Sequence, residues 1–287
     1  MPELPEVAAL AAYLAERTAG HRVDRADVAA FNVMKTYDPP LTALVGTSLV
    51  GAGRHGKFLD IRFSGDPELH LVVHLSRAGW LHYRESVPAV PPRPGKGPIA
   101  VRLRFDDGSG FDLTEAGTQK RLAAYLVTNP LQVPGIVRLG PDPLELSRIE
   151  FAGRIEGRRQ QIKGLLIDQS VLAGIGNAYS DEILHTARMS PFARADRFDD
   201  DQVERLYQAV HSVLDGAVQR AVGQRTATLK AEKRSGLAVH GRAGLPCPVC
   251  GDTVRTVSFS DSSLQYCPTC QTSGRPLADR RMSRLLK

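Results

Sequence analysis

Apolar positions in the first half of the chain fall mostly on a period of two. Leu59, Ile61 and Phe63 form one face of KFLDIRF, and Leu69, Leu71, Val73 and Leu75 form one face of LHLVVHL. Ile99, Val101, Leu103 and Phe105 do the same in IAVRLRF. Such alternation predicts half-buried strands. The last run ends in Asp107-Gly108, a hairpin signal, and GFDL follows it. An earlier stretch has another rhythm: after Pro5, residues Val7, Leu10, Ala11 and Leu14 recur at helical spacing and predict one amphipathic helix. Strands joined by short turns predict an antiparallel sandwich or barrel. SVPAVPPRPGKGP, at 86–98, reads as a loop between strands.

Around Gly140–Pro143 the pattern changes to helices. Arg158–Asp168 has an apolar face at Ile162, Leu165 and Leu166, and Asn177–Arg188 predicts a second helix. Asp199–Val222 predicts a longer one, with Asp199–Asp201 suited to its N-terminus. There is no internal repeat. The chain therefore reads as β-rich to about residue 140, then helical, then cysteine-rich.

With 42% hydrophobic and 24% charged residues, the chain has the composition of a globular protein. No apolar run approaches the ~18 residues of a membrane span, and MPELPEVAAL lacks the pattern of a secretory signal. A cytoplasmic protein is expected, nucleoid-associated if bacterial, with no membrane partner. The net charge of +6 is unevenly placed: residues 225–287 hold eleven Lys/Arg against four Asp/Glu. A basic segment on a balanced body suits a polyanion, most simply nucleic acid, although a solvated charged tail has the same composition.

Cys247, Cys250, Cys267 and Cys270 form two C-x2-C pairs separated by sixteen residues. That spacing fits a tetrahedral four-thiolate zinc site, one Zn2+, structural because four thiolates leave no open position. TVRTVSF at 253–259 and Leu264–Tyr266 read as a hairpin between the pairs, so the segment is a zinc ribbon. Two disulfides or two redox pairs are the alternatives, and both are disfavoured in a cytoplasmic chain.

Two further segments carry chemistry. In DQSVLAGIGNAYSDE, Gly174 and Gly176 precede Asn177 at the start of a helix. A helix N-terminus with close backbone approach suits a phosphate, and Asn177 suits an N-cap or a phosphate donor; most such turns are only turns. At the other end, removal of Met1 leaves Pro2 with a free secondary amine. A terminal amine has a pKa near 8, so it is partly unprotonated at neutral pH and nucleophilic. Glu3 beside it is a candidate proton donor and acceptor. The plainer reading is that Pro-Glu-Leu-Pro-Glu merely starts a helix.

Taken together, these pieces resemble the formamidopyrimidine-DNA glycosylase/endonuclease VIII family. PELPEV at 2–7 is similar to its N-terminal motif, and GRHGKFL at 53–59 to its lysine loop. LLIDQSVLAGIGNAYSDEIL at 165–184 is similar to its helix–two-turn–helix, and VHGRAGLPCPVCG with YCPTCQ to its zinc finger. The resemblance spans nearly the whole chain and keeps the order of the motifs. It implies an α+β fold: an N-terminal antiparallel β-sandwich with an early helix (1–140), a helix–two-turn–helix domain (141–240), a zinc-ribbon finger (241–273) and a basic C-terminal tail (274–287). It implies a bifunctional DNA glycosylase and abasic-site lyase in which Pro2 attacks C1′ of a flipped oxidised nucleotide. Glu3 protonates the departing base or sugar oxygen, Glu6 shapes the site, and the iminium leads to β,δ-elimination. Lys57, His74 and Asn177 match residues that hold phosphates around that nucleotide. Taken alone, His74 at the polar parity of its strand is an ordinary surface histidine, and Lys57 a solvated charge. The implied partner is double-stranded DNA carrying oxidised bases or abasic sites, and a monomer is expected.

The chain departs from the family pattern in three respects: the finger, the side chains that fill the gap left by the base, and one short later segment. Ser262 stands where the finger usually has an arginine, and a hydroxyl offers no charged fork. Arg77 stands where purine-specific members insert a methionine. TEAGTQKRLAAY at 114–125 replaces the usual Arg-Arg-Phe-Gly loop, leaving Lys120 or Arg121 to reach the opposite base with no apolar wedge. TLKAEKRSGLAVHGR at 228–242 is also short where 8-oxoguanine-preferring members have a longer covering loop. Arg280, Arg281, Arg284 and Lys287 are candidate DNA contacts or a solvated tail. A non-catalytic DNA-damage-binding protein on the same scaffold is the rival reading. A zinc-ribbon adaptor leaves Pro2-Glu3 unexplained.

Overall fold

The computed structural model describes residues 1–95, 97–116, 120–259 and 262–278. The chain divides into two compact units, Met1–Arg138 with Arg220–Lys230, and Leu139–Gln219 with Ala231–Lys287. Arg280, Arg281, Arg284 and Lys287 lie outside the described residues.

The first unit opens with α1 (Leu4–Thr18) and β1 (Val23–Val28). A meander follows, of β2 (Leu49–His55), β3 (Phe58–Phe63) and β4 (Leu69–His74). The chain then forms β5 (Gly79–Arg84), β6 (Ile99–Phe105) and β7 (Gly110–Glu115), and closes with β8 (Ala123–Val127) and a single turn, α2 (Pro134–Val137). Two four-stranded sheets result, in the orders β1-β6-β7-β5 and β2-β3-β4-β8, with every strand pair antiparallel. This is the expected β-sandwich with an early helix. The predicted apolar faces meet in one core: Leu59, Ile61, Phe63, Leu71, Val73, Val101, Leu103 and Phe105 are all fully buried. The stripe Val7, Leu10 and Leu14 brings α1 onto the same core, against β2 and β3. Residues 220–230 also belong here, since Ala221 and Leu229 join the core and the Trp80 indole N–H donates to the Thr226 carbonyl at 2.9 Å.

Alternation put charge on the outward faces of these strands, yet one such charge is wholly enclosed. Asp112 is fully buried and accepts from Arg102 at 2.7 and 3.0 Å and from Arg84 at 2.9 Å. The hydrogen bonds it donates to Asp112 hold the Arg102 guanidinium above its ordinary value against the opposing effect of burial. Removing one partner of such a group strands the other charge in low dielectric, so Asp112→Ala should cost about 3–5 kcal/mol, read as a lowered urea midpoint. A midpoint within error of wild type contradicts this account of the sheet.

The second unit contains α3 (Arg148–Ile155), α4 (Ile162–Ile167), α5 (Asn177–Thr186) and most of α6 (Asp200–Ala221). After α7 (Leu229–Ser235) come the hairpin strands β9 (Arg255–Ser258) and β10 (Ser263–Tyr266), then α8 (Pro268–Thr272). Asp199 caps α6 as expected, accepting the Gln202 amide at 2.7 Å. Two expectations need correction. The helix read over Arg158–Asp168 begins only at Ile162, because Gln161 bridges Arg194 and the Ile162 amide donates to Ala193. Asn177 is not an N-cap: Gly176 occupies that position and Asn177 is the first helical residue. No helix among the described residues is long and apolar enough to cross a membrane.

Candidate active site and metal centre

Pro2 and Glu3 lie where the chain enters α1. Pro2 is buried, and Glu3 and Glu6 are 3% and 2% exposed. The Glu6 carboxylate accepts the Glu3 amide at 2.8 Å, and the Glu3 carboxylate completes a capping box with the Glu6 amide. The helix-start reading and the catalytic reading are therefore one geometry. The capping that begins α1 also fixes the Glu3 carboxylate one residue from the Pro2 nitrogen. With Met1 attached that nitrogen is a tertiary amide; Met1 itself is half exposed.

Lys57 occupies the β2–β3 turn, whose tightness rests on Gly56 at φ +55°. Its side chain is buried, and its charge reaches His74. Phe58 pairs with His74 across β3 and β4, their rings 4.8 Å apart. Burial first, and the Lys57 charge second, hold the His74 imidazole below its ordinary value, which favours the neutral ring at neutral pH. The strands around this turn are braced by Asp60, whose carboxylate engages His55 at 3.1 Å and His70 at 2.9 Å. Burial opposes that ionisation, but the two histidine hydrogen bonds hold Asp60 below the usual carboxylate range.

Arg77 is exposed in the turn between β4 and β5, beside Ser76 at φ +53°. Gly79, two residues on, pairs with Glu115 at the end of β7. Glu115 is buried and its Oε1 accepts the amides of Arg121 at 2.6 Å and Leu122 at 2.8 Å. The Arg77 turn and the return of the 116–122 loop are thus anchored on adjacent strands. Lys120 and Arg121 are exposed, while Gly117–Gln119 lie outside the described residues.

Asn177 belongs to the second unit. Gly174, at φ +94°, donates its amide to Gln169 at 3.0 Å and shapes the turn before α5. The Asn177 amide nitrogen donates to the Ser263 carbonyl at 2.7 Å, linking α5 to the hairpin of the finger. Beside it is a cavity of about 160 Å³, lined by Lys163, Asn177, Phe192, Phe259 and the exposed Ser262 among others. Lys163 Nζ donates to Asp181 and Ser180 at 2.5 and 2.7 Å. Asp181 also accepts the Gln265 amide at 3.1 Å and engages His240 at 2.7 Å. Glu182 accepts the amides of Ala238, Val239 and His240 at 2.7–3.0 Å. Burial nevertheless pushes its carboxyl up.

The four cysteine sulfurs lie within 4.8 Å of one another. Cys247 and Cys270 are 3.9 Å apart and Cys250 and Cys267 3.3 Å, all as free thiols. Four sulfurs converging on one point from two knuckles, joined by the β9–β10 hairpin, fit a tetrahedral zinc ion. Burial pushes the Cys267 thiol up to about 11, and Cys270 upward too. The amide of Asp252 draws Cys250 down.

Sequence reading missed Glu115, Asp181, Glu182 and His185. A signal was present for part of this set, because Asn177, Asp181 and His185 recur at i, i+4 and i+8 on one face of α5. The finger-segment partners of Asp181, Glu182 and His185 lie 56–84 residues further on, so only the tertiary structure identifies them.

Known proteins place the chain. The formamidopyrimidine-DNA glycosylase N-terminal domain matches residues 1–121, the formamidopyrimidine-DNA glycosylase H2TH domain residues 139–229, and the zinc finger found in FPG and IleRS residues 244–272. A formamidopyrimidine-DNA glycosylase of Heliobacterium modesticaldum is 34% identical, covering 94% of this chain and all of that protein. A Mycobacterium tuberculosis protein, named an uncharacterized formamidopyrimidine-DNA glycosylase-like protein, is 63% identical over 149 residues, 52% of this chain and 94% of its own. The fold matches Lactococcus lactis Fpg, crystallised with abasic-site DNA, at a TM-score of 0.82 and 21% identity over 94% of this chain and 99% of that one. The chain belongs to the formamidopyrimidine-DNA glycosylase family.

Proposed function

We propose that this chain is a base-excision-repair DNA glycosylase with abasic-site lyase activity, acting through Pro2 on double-stranded DNA with an oxidised base or an abasic site. The observation that carries this reading is the buried Pro2 joined to a capped, fixed Glu3. The names of its relatives support it. Once Met1 is removed, the Pro2 nitrogen bonds to C1′. The bond from C1′ to the base breaks, and Glu3 supplies a proton to the leaving base or to the ring oxygen as it opens. The resulting iminium acidifies C2′–H. Loss of that proton expels the 3′ phosphate, and a second elimination expels the 5′ phosphate. Glu6 holds the Glu3 backbone in place for both steps. In this reading Lys57, one residue before the Phe58 that pairs with His74, and His74 itself hold phosphates, as does Asn177 in its own unit. In this reading Arg77 and Lys120 enter the gap left by the extruded nucleotide.

Cys247, Cys250, Cys267 and Cys270 hold one structural Zn2+ in this reading, which supplies a rigid crosslink between the knuckles and no chemistry. The working divisions are 1–140 for catalysis, 141–240 and 241–273 for DNA binding, and 274–287 as a basic tail. The protein acts as a monomer in the cytoplasm, at the nucleoid in a bacterium.

The test is strand cleavage of duplexes with one abasic site, one oxidised pyrimidine or one 8-oxoguanine, using protein proven by mass spectrometry to begin at Pro2. Cleavage leaving phosphate on both sides of the gap is expected. Tight, damage-selective binding with no cleavage of any duplex overturns the enzyme reading in favour of a damage-binding scaffold.

Ser262 suggests a further measurement. An arginine there faces the cavity beside Asn177 and adds one phosphate contact. Ser262→Arg should tighten DNA binding and steepen the salt dependence by about one unit of log K per log salt. Unchanged affinity and slope would place the DNA backbone elsewhere.

A further inference from the structure

The polar face of α5 ends at the metal centre. Asn177, Asp181 and His185 follow one another along that face, and all three engage the segment that carries the finger. The His185 side chain is buried, and its Nε2 lies 3.3 Å from the Cys247 sulfur. Cys250 and Cys267 receive amide hydrogen bonds from within their own knuckles, from Asp252 and Cys270 respectively. Cys247, itself buried, receives its contact from an imidazole on a separate helix.

Four thiolates around a divalent cation carry a net charge of −2. Donors that point at the sulfurs spread this charge and keep each ligand oriented, and such outer partners commonly change metal affinity by about 10–100-fold. A metal-bound thiolate has no S–H to donate. A hydrogen bond between it and the ring therefore requires the proton on Nε2 of His185.

We infer that His185 is a positioning residue of the metal centre: its Nε2–H donates to the zinc-bound Cys247 thiolate, holding the metal in the finger and tying the finger to α5. The inference rests on the zinc reading above. It gives α5 a double duty. Its first residue, Asn177, is a phosphate donor in the proposed function, and its last turn braces the metal centre.

The full zinc-loaded chain is compared with His185→Phe, which keeps a flat ring without the donor, and His185→Gln, which keeps a donor. Metal content is measured first, then zinc transfer to a chromophoric chelator, then the sulfur-to-cobalt charge-transfer band of each protein reloaded with Co2+. Wild type should hold one zinc. His185→Phe should surrender it at least 10-fold faster, with the cobalt band shifted to lower energy, because a thiolate without its hydrogen bond is a better electron donor. His185→Gln should stay near wild type in both. Transfer at the wild-type rate with an unmoved band in His185→Phe overturns the inference while leaving the zinc reading intact. Equal losses in both variants also overturn it, because ring packing is then what matters. Wild type without zinc overturns both, and the metal analysis identifies that case before any variant is compared.

Discussion

Protein that retains Met1 should form no covalent adduct with abasic DNA, although it binds that DNA. Its Pro2 nitrogen is a tertiary amide whose lone pair is delocalised, so it cannot attack C1′. The processed protein, identical in every other atom, should react. Glu3→Gln is the companion variant. A carboxamide oxygen still accepts the Glu6 amide and keeps the start of α1, but the side chain has no acidic proton to deliver. Base release should fall by about 10²–10⁴-fold, the usual contribution of a positioned acid or base. DNA affinity should change little, since neither group is a cation. Time courses of base release and strand cleavage, alongside binding isotherms, separate these effects. Full activity with Met1 in place rules out the amine.

Cys267→Ser has the largest expected effect on structure. Cys267 is fully buried, and its loss leaves three thiolates and a hydroxyl. Structural zinc in small finger peptides contributes an apparent ~10–16 kcal/mol near neutral pH, so the finger should lose both metal and fold. The hairpin core of Val257, Leu264 and Tyr266 then loses its anchor, and DNA binding should fall to the salt-sensitive, non-specific level. The β-sandwich should persist, because its core draws no residue from the finger among the described residues. Metal analysis, DNA titration and hydrogen exchange of the two units check the three parts. Unchanged metal content contradicts the assignment of Cys267 as a ligand.

Much of this architecture was legible where the physics is local. β3, β4 and β6 alternate cleanly, and their apolar faces are the buried ones. β1 (VDRADV) and β2 (LVGAGRH) carry charge or glycine at about half their positions, so neither offers a run of alternating apolar side chains. They are strands because neighbouring strands pair with them. α3 went unread despite its Ser147–Glu150 capping box, since eight residues leave little periodicity to see. At the candidate site, Pro2-Glu3 and the four cysteines are short-range motifs and announce themselves. Arg102 and Asp112 become a pair only when the β6–β7 register sets them opposite. Lys57 comes near His74 in the same way, because it directly precedes Phe58, which the β3–β4 register sets opposite His74. Most hidden was the contact of His185 with Cys247, because 62 residues separate them and nothing near either one points to the other.

The measurement that bears most directly on the central claim is borohydride trapping on a duplex with a single abasic site, followed by peptide mapping of the adduct. Processed wild-type protein should yield one reduced crosslink, between the sugar C1′ and the nitrogen of a peptide that begins at Pro2. A crosslink that maps to a lysine side chain, or no crosslink from zinc-loaded protein that still holds the DNA, would contradict the account.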